Sequence, residues 1–403
     1  MKARANSNHR GRLSRRLFVL GAASCAVPVR AEEEPFATFL VELWHDAQAK
    51  GITRATFDVA MRGVTPDKRV IAATKRQPEY GKPFGDYVNA IVSPDRLARG
   101  KRKAQQWHEL LAKVEAQFGV ERWVLVALWG IESDYGAEKD RWDVFRSLAT
   151  LAHARYRHPY FRNELIVAMR MMQDNRFPRE VMVSSWAGAM GQTQFMPSNF
   201  MDFAVDFSGD GRRDIWTNVP DVLASTANYL HKSNWKAGLA WGFEVTVPPS
   251  FDLMKSRADY AEWQQLGVRR TDGKSFPHAG LGFLFFPAGR AGPAFIASEN
   301  FAVLKEYNNS DAYAVAVGHL ADRLQGAGPF KTAWPAGDRQ LSRDARIALQ
   351  YALAARGYKV NDFEGHIDFD LRDSIRAEQK KFGMVPDGNP TLALLQRLNI
   401  HLQ

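Results

Sequence analysis

The sequence predicts a mainly α-helical protein with a small β-containing insertion and a separate helical domain at its C-terminal end. Three observations carry this. Apolar residues recur at intervals of three and four through most of 35–174 and again through 307–324. Between 238 and 300 that pattern gives way to short apolar or alternating runs broken by Gly and Pro. A Gly- and Pro-rich stretch at 326–339 then sets three short helical runs apart from the rest. The 403 residues suffice for two or three domains with a substantial core, and 45% apolar and 24% charged content is that of an ordinary globular protein.

Residues 1–31 form an export signal. A basic segment ending at Arg16 precedes the apolar run LFVLGAASCAV, and Val29-Arg30-Ala31 offers small residues for cleavage. The run Ser14-Arg15-Arg16-Leu17-Phe18 resembles a twin-arginine signal, with an ordinary secretory signal as the alternative. The destination is the periplasm. Cys25, the sole cysteine, lies inside this signal, so the cleaved chain has no disulfide, and its flanks lack the leucine expected of a lipid-anchoring site. Seven basic residues of 1–31 account for most of the formal charge of +10 and leave +3 for the rest. No basic stripe interleaved with aromatics remains, which argues against a nucleic-acid partner.

From 35 to 120 the runs FATFLVELWHDAQAKG, TRATFDVAMRGV and RLARGKRKAQQWHELLAKVEAQFG read as helices, stopped by Gly51, Gly63 and Gly119. The next stretch, WVLVALWGIESDYG (123–136), predicts a buried helix over 122–135. Glu132 sits at its end, straight after Trp129, Gly130 and Ile131. A carboxylate on so apolar a helix is costly unless paired or protonated, and a glutamate that keeps its proton is a candidate general acid. The alternative is a structural role, capping a turn or pairing with Arg141. SLATLAH (147–153) and YFRNELIVAMRMMQD (160–174) continue the helical core. In WAGAMGQTQFMPSNF (186–200), Gly188 and Gly191 permit close backbone approach, Pro197-Ser198 opens a helix, and Gln192 and Gln194 supply amides suited to sugar hydroxyls and acetamido groups.

Together GIESDYG (130–136) and AGAMGQTQFMPS (187–198) closely resemble the lytic murein transglycosylases of the membrane-bound type B family, which have a lysozyme-like catalytic core. The resemblance continues in RQPE (76–79), AVDFSGDGRRDIW (204–216), ANYL (227–230) and YNNSDAYAVAV (307–317), and covers roughly 35–325. It implies that Glu132 is the catalytic residue. It implies that Gln192, Gln194, Ser198 and Tyr307 position sugar and Glu132, and that Tyr307 and Asn308 form a pair facing that glutamate. Arg157, Tyr160 and Phe161 stand where the family has an arginine-tyrosine-phenylalanine cluster near the sugar, although ARYRHPYF lacks the family's paired arginines; the alternative is that Tyr160 and Phe161 are core aromatics. For Tyr307-Asn308 the alternative is a helix start capped by Asn309 or Ser310.

DFSGDGRRDIWT (206–217) resembles a calcium loop, with oxygens from Asp206, Ser208, Asp210, the Arg212 carbonyl and Asp214. Its twelfth position is Thr217 instead of a bidentate acid, and Asp221 is out of register. A structural calcium is therefore a candidate, with an Asx-bonded turn as the alternative; no cofactor is required for the chemistry. FEVTVP, LGFLFFPAG and AFIAS are the strands of the insertion. After the linker at 326–339, residues 340–403 resemble a three-helix peptidoglycan-binding domain through Arg356-Gly357-Tyr358, IRAEQKKFG and Asp387-Gly388, although FEGHIDFDLRD (363–373) departs from the usual turn. The catalytic domain is then 32–325.

Asp134, two residues from Glu132, faces elsewhere on a helix, and no other acid stands out as the second carboxylate of a hydrolase. The family resemblance implies a one-carboxylate route on peptidoglycan glycan strands. Glu132 protonates the bond between N-acetylmuramic acid and N-acetylglucosamine, the substrate's acetamido group stabilises the cation, and Glu132 then draws the proton from the muramoyl 6-hydroxyl to close a 1,6-anhydro ring. The alternatives are a hydrolytic muramidase and a non-catalytic wall-binding scaffold. Cell-wall synthesis or division proteins are candidate partners.

Overall fold

A computed structural model describes residues 35–74, 83–138, 141–175 and 177–401. The export signal with Cys25, and RQPE at 76–79, lie outside the described residues. The chain opens with α1 (Phe36–Ala49), α2 (Arg54–Met61), α3 (Lys68–Thr74), α4 (Phe84–Ile91), α5 (Pro94–Gln106) and α6 (His108–Phe118). Thr53 and Ser93 cap α2 and α5 by accepting backbone N–H groups, and left-handed Gly119 stops α6. The short helices α3 and α4 fill a stretch where the sequence shows no distinct run. Each buries only one to three residues, too few to establish a period.

Next comes α7 (Arg122–Ser133), around which the catalytic unit is built. Residues Val124 to Gly130 are all buried, so the helix is enclosed on every side. Full burial of each large side chain contributes roughly 1.5–3 kcal/mol. The helix ends two residues before the sequence suggests, because Asp134, Tyr135 and Gly136 all take left-handed backbone. Strand β1 (Trp142–Asp143) leads into α8 (Val144–His153), which packs on α9 (Tyr160–Asn175); β2 (Val183–Ser184) returns antiparallel to β1. Then follow α10 (Pro197–Phe203), with Pro197 in its first turn, and α11 (Val219–Lys232).

The predicted insertion is a five-stranded antiparallel sheet. Its strands are β3 (Gly242–Thr246), β4 (Arg257–Asp259), β5 (Arg269–Arg270), β6 (Leu281–Phe285) and β7 (Ala294–Ala297), in the order β4-β6-β7-β3-β5. Helix α12 (Tyr260–Gln265) covers one face. The two-residue period of a strand sends Leu284 and Ile296 into this local core, while Phe285, Phe295 and Ala297 point into the main one. The sheet is therefore welded to the helical body.

Helices α13 (Glu299–Tyr307) and α14 (Asp311–Leu324) complete the catalytic unit, and α14 lies along α7. The segment 326–339 has no regular structure but is held down. Phe330 stacks on His319, Trp334 stacks on Phe84 at 5.1 Å, and the Glu244 carboxylate accepts the N–H groups of Lys331 and Thr332. Helices α15 (Arg343–Ala354), α16 (Phe369–Lys381) and α17 (Leu392–Arg397) close over Leu349, Leu353, Ile375 and Leu394. Ser342, Asp368 and Thr391 cap them. This bundle rests against the catalytic unit, with Phe369 stacked on Phe283 at 4.5 Å and Arg257 bonded to Asp370 and Asp373.

Candidate active site

Glu132 occupies the last turn of α7 and is half-buried. Its position is fixed by the break that follows it. Tyr135 folds back beneath the helix, its ring against Gly130 and its hydroxyl donating to the Arg96 carbonyl at 2.9 Å. A Cβ on Gly130 would lie 2.5 Å from that ring, so the Gly-Ile-Glu order of the motif is a packing requirement. Burial pushes the Tyr135 phenol up to about 12. Asp134 points to Arg99, with Nη2 at 2.9 Å and Nε at 3.1 Å. The nearby arginines therefore neutralise Asp134, and Glu132 is left to tyrosines.

The Tyr313 hydroxyl donates to the Glu132 carboxylate. Tyr313 is 2% exposed, and burial, reinforced by the negative charge of Glu132, pushes its phenol well above the ordinary value. It stays protonated and remains a donor. Tyr87 on α4 and Tyr307 at the end of α13 lie within electrostatic reach of Tyr313. The Tyr307 phenol is likewise raised by burial and then by Glu132, and its hydroxyl donates to the Thr193 carbonyl at 2.7 Å. Tyr229 on α11 packs edge-on against Tyr307, ring centres 4.8 Å apart. Sequence reasoning named Tyr307 but missed Tyr313 and Tyr87. Tyr313 reads as one more apolar residue of a buried helix, and the only available signal was its place just inside a Ser310 cap.

The Gln192–Ser198 stretch packs against α7 and Tyr307. Trp129 donates its indole N–H to Gln192 Oε1 at 2.7 Å, and Gln192 Nε2 donates to the Trp216 carbonyl at 2.8 Å. Both ends of the amide are thus engaged in bracing the loop against α7. Gly191 must be glycine, since its φ is +65° and a Cβ would meet the Ile215 carbonyl oxygen at 2.4 Å. Gln194 has left-handed backbone and donates to the Gly191 carbonyl at 2.9 Å. Ser198 bonds Glu164 through both hydroxyl (2.7 Å) and backbone N–H (3.0 Å). These two bonds hold the Glu164 carboxyl down against the larger effect of burial, and the net shift is upward. Asn308 closes the α13–α14 corner, its side chain accepting from Ser310 N–H, while Ser310 is the cap of α14. Arg157 lies over the Tyr160 ring at 4.7 Å and pairs with Glu364 of the C-terminal bundle at 2.7 Å.

The acidic loop differs from its sequence reading. Asp206, Asp210 and Asp221 gather within 4.8 Å of one another, while Asp214 turns to accept the Trp216 and Thr217 N–H groups. Asp221, fully buried, accepts from the N–H groups of Phe207, Ser208 and Asp214. Ser208 donates to Asp206, and Arg212 N–H bonds Asp210. Backbone N–H groups on Asp206 and Asp221 offset part of the repulsion among the three carboxylates, and their oxygens are donors that suit a hard ion.

A lysozyme-like helical fold with one glutamate held by buried tyrosines, joined to a wall-binding bundle, defines a peptidoglycan-cleaving lytic transglycosylase. The chain belongs to the transglycosylase SLT domain family, whose model matches residues 35–322; a putative peptidoglycan binding domain matches 342–398. It is similar to SltB3 from Pseudomonas aeruginosa, solved in complex with NAG-anhNAM-pentapeptide. The identity is 43% over 91% of this chain and 100% of that one, with a TM-score of 0.80. SltB1 from the same organism is 26% identical over 72% of this chain and 99% of its own, with a TM-score of 0.61. Membrane-bound lytic murein transglycosylase B of Escherichia coli (strain K12) is 29% identical over 249 residues, 59% of this chain, and the chain spans 66% of that protein's length. Among the described residues no helix is long and apolar enough to cross a membrane.

Proposed function

We propose that the chain cleaves the β-1,4 bond between N-acetylmuramic acid and N-acetylglucosamine with formation of 1,6-anhydromuramoyl ends, and that Glu132 serves first as acid and then as base. The observation that carries this reading is the setting of Glu132. It has a phenol donor in Tyr313, while Asp134 is spent on Arg99 and Glu164 on Ser198. A hydrolase would need a second carboxylate across the sugar to activate water. A single carboxyl suits an internal transfer, in which the proton given to the leaving oxygen is replaced by the one taken from the muramoyl 6-hydroxyl. Tyr313 stabilises the carboxylate midway through this cycle without competing for the proton. SltB3 in complex with NAG-anhNAM-pentapeptide and with NAG-NAM-pentapeptide supports the same substrate class here.

The C-terminal bundle adds affinity for the wall, and its exposed stacked pair Tyr351–Phe363, ring centres 4.4 Å apart, suits a sugar face. Arg15-Arg16 address the precursor to the periplasm by the twin-arginine route. Asp206, Asp210 and Asp221 hold a structural calcium. Glu132→Gln tests the central assignment by mass spectrometry of muropeptides released from purified walls. Parent protein yields ends one water lighter than hydrolysis gives, and the variant loses release by about 10²–10⁴-fold while keeping its fold. Activity within a few-fold of the parent would sink the assignment.

A further inference from the structure

The corner between α13 and α14 carries both tyrosines closest to the catalytic glutamate, and the C-terminal bundle grips that corner. Lys305, two residues before Tyr307, and Asp311, two residues before Tyr313, form an ion pair at 2.8 Å. Arg372 of α16, 3% exposed, reaches out of the bundle to the same Asp311 carboxylate. Its other guanidinium nitrogen donates to the Gly388 carbonyl at 3.0 Å, and its charge lies over the Phe285 ring at 4.6 Å, so the group is fixed on three sides. Lys305 also donates to the Ile367 carbonyl of the bundle at 2.7 Å. Asp311 is thus a half-buried anion bonded by Lys305 of its own unit and Arg372 of the bundle, with the charge of Arg346 on α15 also holding its carboxyl down. It is the first residue of α14, where a negative charge suits the helix dipole, and the preceding Ser310 accepts the Tyr313 N–H.

We propose that Arg372 is a positioning residue for the catalytic centre: through Asp311 it sets the first turn of α14, and thereby the Tyr313 hydroxyl against Glu132. The inference rests on the role given above to Glu132. Without Arg372 the Asp311 carboxylate keeps Lys305 and the charge of Arg346 but loses its hydrogen bond to the bundle, and it is drawn toward water. A cavity of about 320 Å³ between the two units, lined by Lys305, Asp311, His366, Asp368 and Arg372, gives it room to move. Tyr313 is half a turn along the same helix. A shift of about 1 Å is enough to spoil a hydrogen bond of this kind. The bundle accordingly does two jobs, holding the wall and holding the catalytic turn.

The test is a double-mutant cycle in the full chain, read as kcat and KM on soluble glycan fragments. Arg372→Met removes the charge and keeps the stem; Arg372→Lys restores a cation. Arg372→Met is expected to lower kcat about ten-fold or more with KM nearly unchanged, Arg372→Lys to recover part of the loss, and pelleting with walls to stay at the parental level. Tyr313→Phe lowers kcat by itself, and in that background Arg372→Met is expected to add little, because its effect passes through the missing hydroxyl. Full additivity of the two losses, or parental kcat in Arg372→Met, overturns the proposal. If Arg372→Met fails to fold, Arg372→Lys in both backgrounds decides by the same non-additivity. Glu132→Gln runs alongside. Retained activity there defeats the underlying reading and this one with it, whereas an inactive Glu132→Gln with parental kcat in Arg372→Met defeats this inference alone.

Discussion

Gly130→Ala places opposing effects at one position, two residues from Glu132. By propensity the change favours the folded state, since alanine in a helix gains roughly 1 kcal/mol over glycine. The structure predicts the opposite sign. The new Cβ would lie 2.5, 2.6 and 2.7 Å from Tyr135 Cζ, hydroxyl oxygen and Cε1, about 1 Å inside ordinary contact. The ring has nowhere to retreat. Gly100 closes its far side, where a Cβ would lie 2.4 Å from the same oxygen, and its hydroxyl is tied to the Arg96 carbonyl. Overpacking of this kind costs about 1–3 kcal/mol, and losing the Arg96 bond adds about 1 kcal/mol. Net of the propensity gain, about 1–3 kcal/mol of destabilisation remains. At roughly 1–2 °C per kcal/mol for a unit of this size, Tm should fall by about 1–6 °C in a circular-dichroism melt. Turnover should fall as well, because the strained turn carries Glu132. In a Tyr135→Ala background the ring is gone and the penalty of alanine at 130 should vanish. A Tm for Gly130→Ala at or above the parent's would refute the packing argument.

Three further predictions follow from other parts of the molecule. Tyr351→Ala with Phe363→Ala should weaken pelleting with insoluble walls about 2–10-fold without changing turnover on soluble fragments, since both rings are exposed; unchanged pelleting counts against the stacking surface. Burial pushes the Asp322 carboxyl up to about 7, partly offset by the Trp241 indole bond at 2.9 Å. Between about pH 4 and pH 7 the folded state then holds a proton that the unfolded chain has released, so this group's contribution to stability falls as pH rises through that window. Asp322→Asn should flatten the loss of Tm between pH 5 and pH 8, and an unaltered slope would count against it. Calcium should raise Tm by linkage, Asp210→Asn should abolish the rise, and Thr217→Glu should leave it unchanged, because Thr217 bonds Asp214 outside the carboxylate cluster. A stronger response in Thr217→Glu would restore the conventional twelve-residue register.

The sequence by itself determined the elements and their order. The period of three and four placed most of the helices, alternation placed the sheet, and Gly119 and Gly136 marked real stops, because these signals are local and are written in consecutive residues. The family motifs singled out Glu132 for the same reason: Gly130, Glu132 and Gly136 all act within one short stretch of chain. What the tertiary structure decided is everything that depends on which separate turns meet. Tyr313 looks like core until α14 is laid along α7, and only then does its hydroxyl meet a carboxylate 181 residues away in sequence. In the sequence Gln192 reads only as an amide suited to sugar, and the fold alone shows it bonded to the Trp129 indole and the Trp216 carbonyl. Asp221 stands outside the loop in the chain, yet in space its carboxylate gathers with Asp206 and Asp210, since a helix start can turn a carboxylate back onto the loop before it. The stretch 326–339 has a linker's composition, yet Trp334 and Phe330 pin it, and Arg372 joins the bundle to the catalytic corner. Contacts of this kind depend on distances across the fold, and no local pattern in the sequence encodes them.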